Sequence, residues 1–85
     1  MNMQEYREQL TALAERAQKS MDALERERGY VTDTMQKIQG SFGDQREGQK
    51  LVTTLYEVNN ALAAADSSLA ALRSRVESYI RQTEK

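Results

Sequence analysis

Residues 51–79 read LVTTLYEVNNALAAADSSLAALRSRVESY. Leu51, Leu55, Val58, Leu62, Ala65, Leu69, Leu72, Val76 and Tyr79 recur there at alternating steps of four and three. That is the period of one face of an α-helix, sustained as a heptad seam. No Pro interrupts it, so the spacing predicts a helix over about residues 44–83. A seam of this kind is stable only when another helix covers it.

The covering helix lies upstream. Met3, Tyr6, Leu10, Leu13, Ala17, Met21, Leu24, Val31, Met35 and Ile38 form a second stripe, with Arg28 filling its one gap. It predicts a helix over about residues 3–39. Between the stripes, Gly40 suits the left-handed position that ends a helix, and Asp44 with Glu47 fits the capping box that starts one. Each helix should then be roughly 50 Å long. So short a connection makes the two helices antiparallel neighbours. The fold class is therefore all-α, a single helical-hairpin domain over residues 1–85 with its bend at about 40–44. Folding about Gly43 would set Leu51 against Met35, Leu55 against Val31, Leu62 against Leu24 and Val76 against Leu10. Ala65 would face Met21 and Leu69 would face Ala17, so large residues meet small ones. Arg28 would lie opposite Val58, its stem over apolar surface and its guanidinium towards Glu57.

Composition narrows the function. The 85 residues include no Cys, His, Pro or Trp. A disulfide framework, a thiolate nucleophile and the usual zinc site are thereby excluded, and the serines have no histidine to activate them. Residues 1–40 hold six basic and seven acidic side chains, and 41–85 hold six of each. Nucleic-acid binding usually leaves a clustered basic footprint, which is missing here. Gly40, Gly43 and Gly48 follow no strand, so the phosphate-loop reading fails on context. The bend lacks the alternating ligands of an EF-hand. The chain is expected to be no enzyme and to need no cofactor or metal. The longest apolar run, residues 61–65, is far shorter than the ~20 residues of a membrane span. The opening MNMQEYREQL has no apolar core and an early Glu5, so no Sec-type signal is expected in it.

A small domain without a staple buries little core and commonly relies on a partner. The middle of the second helix points the same way. Between Val58 and Leu72 its only charge is Asp66, whereas the first helix carries Glu15, Arg16, Lys19, Asp22, Glu25 and Arg26 on exposed positions. Ala63, Ala64, Ala70 and Ala71 would let another helix approach closely, although alanine also simply favours helix. These four are the candidate partner interface of a four-helix assembly. The candidate hairpin seam is Leu10, Leu13, Met21, Leu24, Val31, Met35, Leu51, Leu55, Val58, Leu62, Leu69, Leu72 and Val76. Phe42 at the bend either plugs the seam's end or marks a recognition point. Tyr79 and Ile80, beside Tyr6 and Met3, serve either as seam packing or as a docking signal.

Short length, paired long helices and an aromatic-glycine bend resemble the WXG family, the small early-secreted-antigen-like proteins of type VII secretion. The likeness spans the whole chain in architecture. The family's Trp-x-Gly bend is matched here by Ser41-Phe42-Gly43, with the aromatic shifted by one and Phe in place of Trp. Its C-terminal Tyr-x-x-x-Asp/Glu signal is approached by Tyr79 and Glu84, where the acid comes one position late. The resemblance implies synthesis in the cytoplasm and export without a cleaved signal. It implies a protein partner: a second copy, a related hairpin, or the N-terminal helical domain of an LXG-type toxin. A structural coiled-coil subunit, chaperone or scaffold of another secretion or phage system is the alternative.

Overall fold

The structure, a computed structural model, describes residues 2–84. It is an all-α hairpin of two helices, α1 (Met3–Phe42, 40 residues) and α2 (Arg46–Thr83, 38 residues). The molecule is a rod with extents of 61 × 17 × 14 Å. Among the described residues no helix is long and apolar enough to cross a membrane.

The start of α1 is fixed by Asn2, whose Oδ1 accepts the Glu5 N–H at 2.8 Å. This satisfies one of the orphan donors of the first turn. The helix then runs through Gly40 instead of stopping there. No glycine takes a positive φ, and Gly40 has open space where a side chain would be. Termination comes at Gly43, whose N–H bonds the Gln39 carbonyl at 3.2 Å. The expected capping box does not form either. Gln45 is the N-cap of α2 and makes no side-chain bond to the helix. The Gln45 N–H instead bonds the Phe42 carbonyl at 3.0 Å, and Gln49 Nε2 donates to the Gly43 carbonyl at 3.3 Å.

Gly43, where a Cβ would strike the Gln39 carbonyl oxygen, is one position where the turn demands glycine, and the other is Gly48. It is buried, and a Cβ there would strike the Phe42 carbonyl oxygen and lie 2.8 Å from Phe42 Cβ. Helix ends cross this closely only where one lacks a side chain. Because α1 is longer and α2 starts later than the sequence suggests, the hairpin folds about Gln45 instead of Gly43. Phe42 with Gly48, and Arg7 with Thr83, are both centred on that residue. The facing register therefore shifts by about one helical turn from the one expected.

The core is thin. Among the described residues only Ala17 and Val76, at 3% and 6% exposure, are buried hydrophobics. Along α1 the covered positions facing α2 are Arg7, Leu10, Ala14, Ala17, Met21, Leu24, Arg28, Val31, Met35 and Ile38, with Gln18 and Thr32 half-buried beside them. Along α2 those facing α1 are Gly48, Val52, Leu55, Asn59, Leu62, Asp66, Leu69, Arg73, Val76, Ile80 and Thr83, with Ala63, Glu77 and Ser78 half-buried beside them. The facing steps alternate four and three as expected, but seven of the eleven α2 positions facing α1 differ from the apolar stripe.

Candidate partner interface

The difference has a simple geometry. Leu55, Leu62, Leu69 and Val76 make one row along α2. Either neighbouring row completes a heptad seam with it. One neighbour is Leu51, Val58, Ala65, Leu72 and Tyr79; the other is Val52, Asn59, Asp66, Arg73 and Ile80. Apolarity favours the first, and the hairpin closes on the second. Leu51, Val58, Leu72 and Tyr79 are consequently 38–53% exposed, and Ala65 is exposed too. On α1 the same rotation turns Tyr6 and Leu13 outwards and brings Arg7 and Ala14 in.

Polar contacts across the seam account for this choice. Arg7 donates through Nε to Thr83 Oγ1 at 3.2 Å and through a terminal nitrogen to the Thr83 carbonyl at 2.7 Å. Arg73 donates to Gln18 Oε1 and, at 2.8 Å, to Glu77 Oε1. Charge-assisted bonds of this type are each worth about 1.5–3 kcal/mol when shielded from water, and less at the half-exposed sites here. Those to Thr83 and Gln18 cross the seam and form only with Arg73 and Thr83 turned towards α1, whereas the Arg73–Glu77 pair lies within α2. The middle of the seam is less well satisfied. Arg28 Nε and Asn59 Oδ1 are buried without a hydrogen-bond partner, and Arg28 makes no ion pair with Glu57.

The outward surface that results is continuous. Tyr6 and Tyr79 meet edge to face with ring centroids 6.4 Å apart, as their expected proximity requires. Leu13 and Leu72 are exposed one heptad further in on the two helices, and Ala65, Val58 and Leu51 continue the row along α2. Asp66, the one charge between Val58 and Leu72, is half-buried in the seam. Everything that α2 exposes over that stretch is therefore uncharged. Large apolar surface of this kind on a monomer marks an interaction site.

The other candidate residues fall around this row. Ala64 and Ala71 are exposed one row beyond it on the side away from α1; Ala63 is half-buried and Ala70 exposed on the far side of the α1 seam. Of the seam candidates, Leu10, Met21, Leu24, Val31, Met35, Leu55, Leu62, Leu69 and Val76 are covered, while Leu13, Leu51, Val58 and Leu72 are exposed. Ser41 is exposed and Gly43 half-buried, and Phe42 is half-exposed at the tip instead of sealing the seam. Glu84 is exposed as the C-cap of α2.

Among the described residues no group of three or more acidic, Cys or His side chains gathers as a metal site would need. The concavities are shallow grooves, such as the one lined by Thr11, Ala14, Gln18, Arg73, Glu77 and Ile80. No family model, curated protein or solved structure gives a significant match to the chain.

Proposed function

We propose that this chain is a small helical interaction protein that works by pairing with another helical hairpin. The observation behind this reading is the row Leu51, Val58, Ala65, Leu72 and Tyr79, which a lone hairpin leaves in water. Size points the same way. A globular monomer of 9.7 kDa exposes about 5,100 Å², by the usual scaling of surface with mass. This chain exposes 6535 Å². The excess, roughly 1,400 Å², is more than the about 800 Å² that one partner contributes to a standard interface.

The biological setting we propose is type VII secretion. In it the chain acts as a WXG-like secreted subunit, or as a targeting partner for a larger LXG-type toxin. The hairpin form, Phe42-Gly43 at the tip and the exposed Tyr79 with Glu84 at the far end support that reading. The pairing face supplies affinity and the far end presents the docking signal.

Light scattering on the purified chain, with co-purification against the products of its neighbouring genes, tests this. A mass above 9.7 kDa, or a defined complex with a helical neighbour, is expected. A monomer that captures no neighbour product would sink the proposal.

A further inference from the structure

We infer that the occupant of the exposed α2 row is a second copy of this chain, packed α2 against α2 in antiparallel fashion about a two-fold axis at Ala65. This rests on the pairing function above and deepens it. The row itself carries the inference, because it is symmetric about its centre. Leu51, Val58, Ala65, Leu72 and Tyr79 are evenly spaced by seven, with two large residues on each side of the one small residue. A two-fold interface must be self-complementary, so that each residue meets its mirror position. Here Leu51 would meet Tyr79 of the second copy, Val58 would meet Leu72, and Ala65 would meet Ala65. Apolar meets apolar at every layer, and the smallest residue sits on the axis where the helices come closest.

The flanking row agrees. Thr54, Ala61, Ser68 and Arg75 lie beside the apolar row on the side away from α1, and three of them are small and uncharged. Ala61 and Ser68 straddle the axis and allow close approach. Arg75 and Glu57 stand at nearly equal distances on either side of Ala65. The antiparallel arrangement therefore brings each Arg75 beside Glu57 of the other copy. A parallel arrangement would put Arg75 and Glu57 of the two copies on opposite flanks of the interface and form no such pair.

The extent is adequate too. From Leu51 to Tyr79 the row is about 42 Å long at the helical rise. One broad face of the rod measures 61 by 17 Å, room enough for the about 800 Å² per partner of a standard interface.

Cysteine trapping in this cysteine-free chain gives the test. Under mild oxidation Ala65→Cys alone should cross-link into a dimer. Leu51→Cys should not, but it should when mixed with Tyr79→Cys. Glu25→Cys, exposed on α1, serves as the negative control. In sedimentation experiments Leu72→Asp should raise the dimer dissociation constant about tenfold or more while leaving helicity intact. Arg75→Glu should weaken the dimer, and Arg75→Glu with Glu57→Arg should restore it. Rapid cross-linking of Leu51→Cys to itself would overturn the antiparallel arrangement. A 9.7 kDa monomer at every concentration, with Ala65→Cys uncross-linked, would overturn self-pairing. In that case a complex with a different hairpin would still uphold the pairing function, whereas its absence as well would end both.

Discussion

Replacing Gly48 and Gly29 by alanine makes the same chemical change with opposite expected results. At Gly29, within α1, nothing lies within 4 Å of an added Cβ. Gly29→Ala should therefore gain the full helix-propensity difference, about 1 kcal/mol. At Gly48 the added Cβ would meet the Phe42 carbonyl oxygen, with the Phe42 carbonyl carbon and Cβ both at 2.8 Å. That separation is about 0.7 Å short of ordinary carbon–carbon contact. Two of the three obstructing atoms are backbone, so the turn must open instead of a side chain swinging aside. Overpacking costs about 1–3 kcal/mol, and a backbone obstruction belongs at the upper end. Less a propensity gain of at most about 1 kcal/mol, the net loss is about 2 kcal/mol. For a chain of this size each kcal/mol moves the melting temperature by about 4–8 °C. Gly29→Ala should melt about 5 °C above the parent and Gly48→Ala about 10 °C below it. Circular dichroism at 222 nm reads both, at one fixed low protein concentration, because self-association raises the apparent midpoint. A Gly48→Ala variant melting at or above the parent would show that α1 and α2 do not cross as described.

Three further outcomes are expected. Leu62→Asp places a carboxylate in the half-buried seam and should lower stability by about 3 kcal/mol in urea titration; an unchanged midpoint would remove Leu62 from the seam. Arg28→Met and Asn59→Leu each remove a buried polar atom that lacks a partner, so each should raise the midpoint by about 1 kcal/mol. A lower midpoint would mean those atoms are engaged. Ala64→Glu with Ala71→Glu should abolish pairing while leaving the hairpin's helicity intact, since both residues are exposed one row from the apolar row. An unchanged oligomer by light scattering would take that flank out of the interface.

The helices were legible from the sequence because their stripes are long and carry no Pro. The closing geometry was not. Gly40 has the composition of a helix stop, yet nothing around it requires a positive φ, and the chain stays helical to Phe42. Those extra residues move the bend and with it every facing pair. The seam was half-legible for a related reason. Leu55, Leu62, Leu69 and Val76 belong to it under either rotation of α2. Apolarity then favours Leu51 and Leu72, whereas Arg7 and Arg73 find bonds only if Thr83 and Arg73 itself turn inwards. Pattern counts weigh each residue alone and miss bonds that need two distant positions together. The scarcity of charge on α2 coincides with an exposed uncharged stretch, and the rotation adds Leu51, Val58, Leu72 and Tyr79 to what α2 leaves exposed.

Arg7 and Thr83 lie 76 residues apart in sequence and are tied together at the end of the rod away from the turn. Ala17 and Val76, the two buried hydrophobics, lie in that half as well, whereas the unsatisfied Arg28 and Asn59 lie nearer the turn. Hairpins usually gain their first stable contacts beside the turn, where the loop to be closed is shortest. In this chain the two buried hydrophobics and the Arg7–Thr83 bonds instead close the longer loops. Zipping from the bend therefore leaves the best-shielded contacts until last, which favours folding of the rod as one cooperative unit. Amide exchange should follow the same order, with the slowest protons flanking Ala17 and Val76 and faster ones near Arg28 and Asn59.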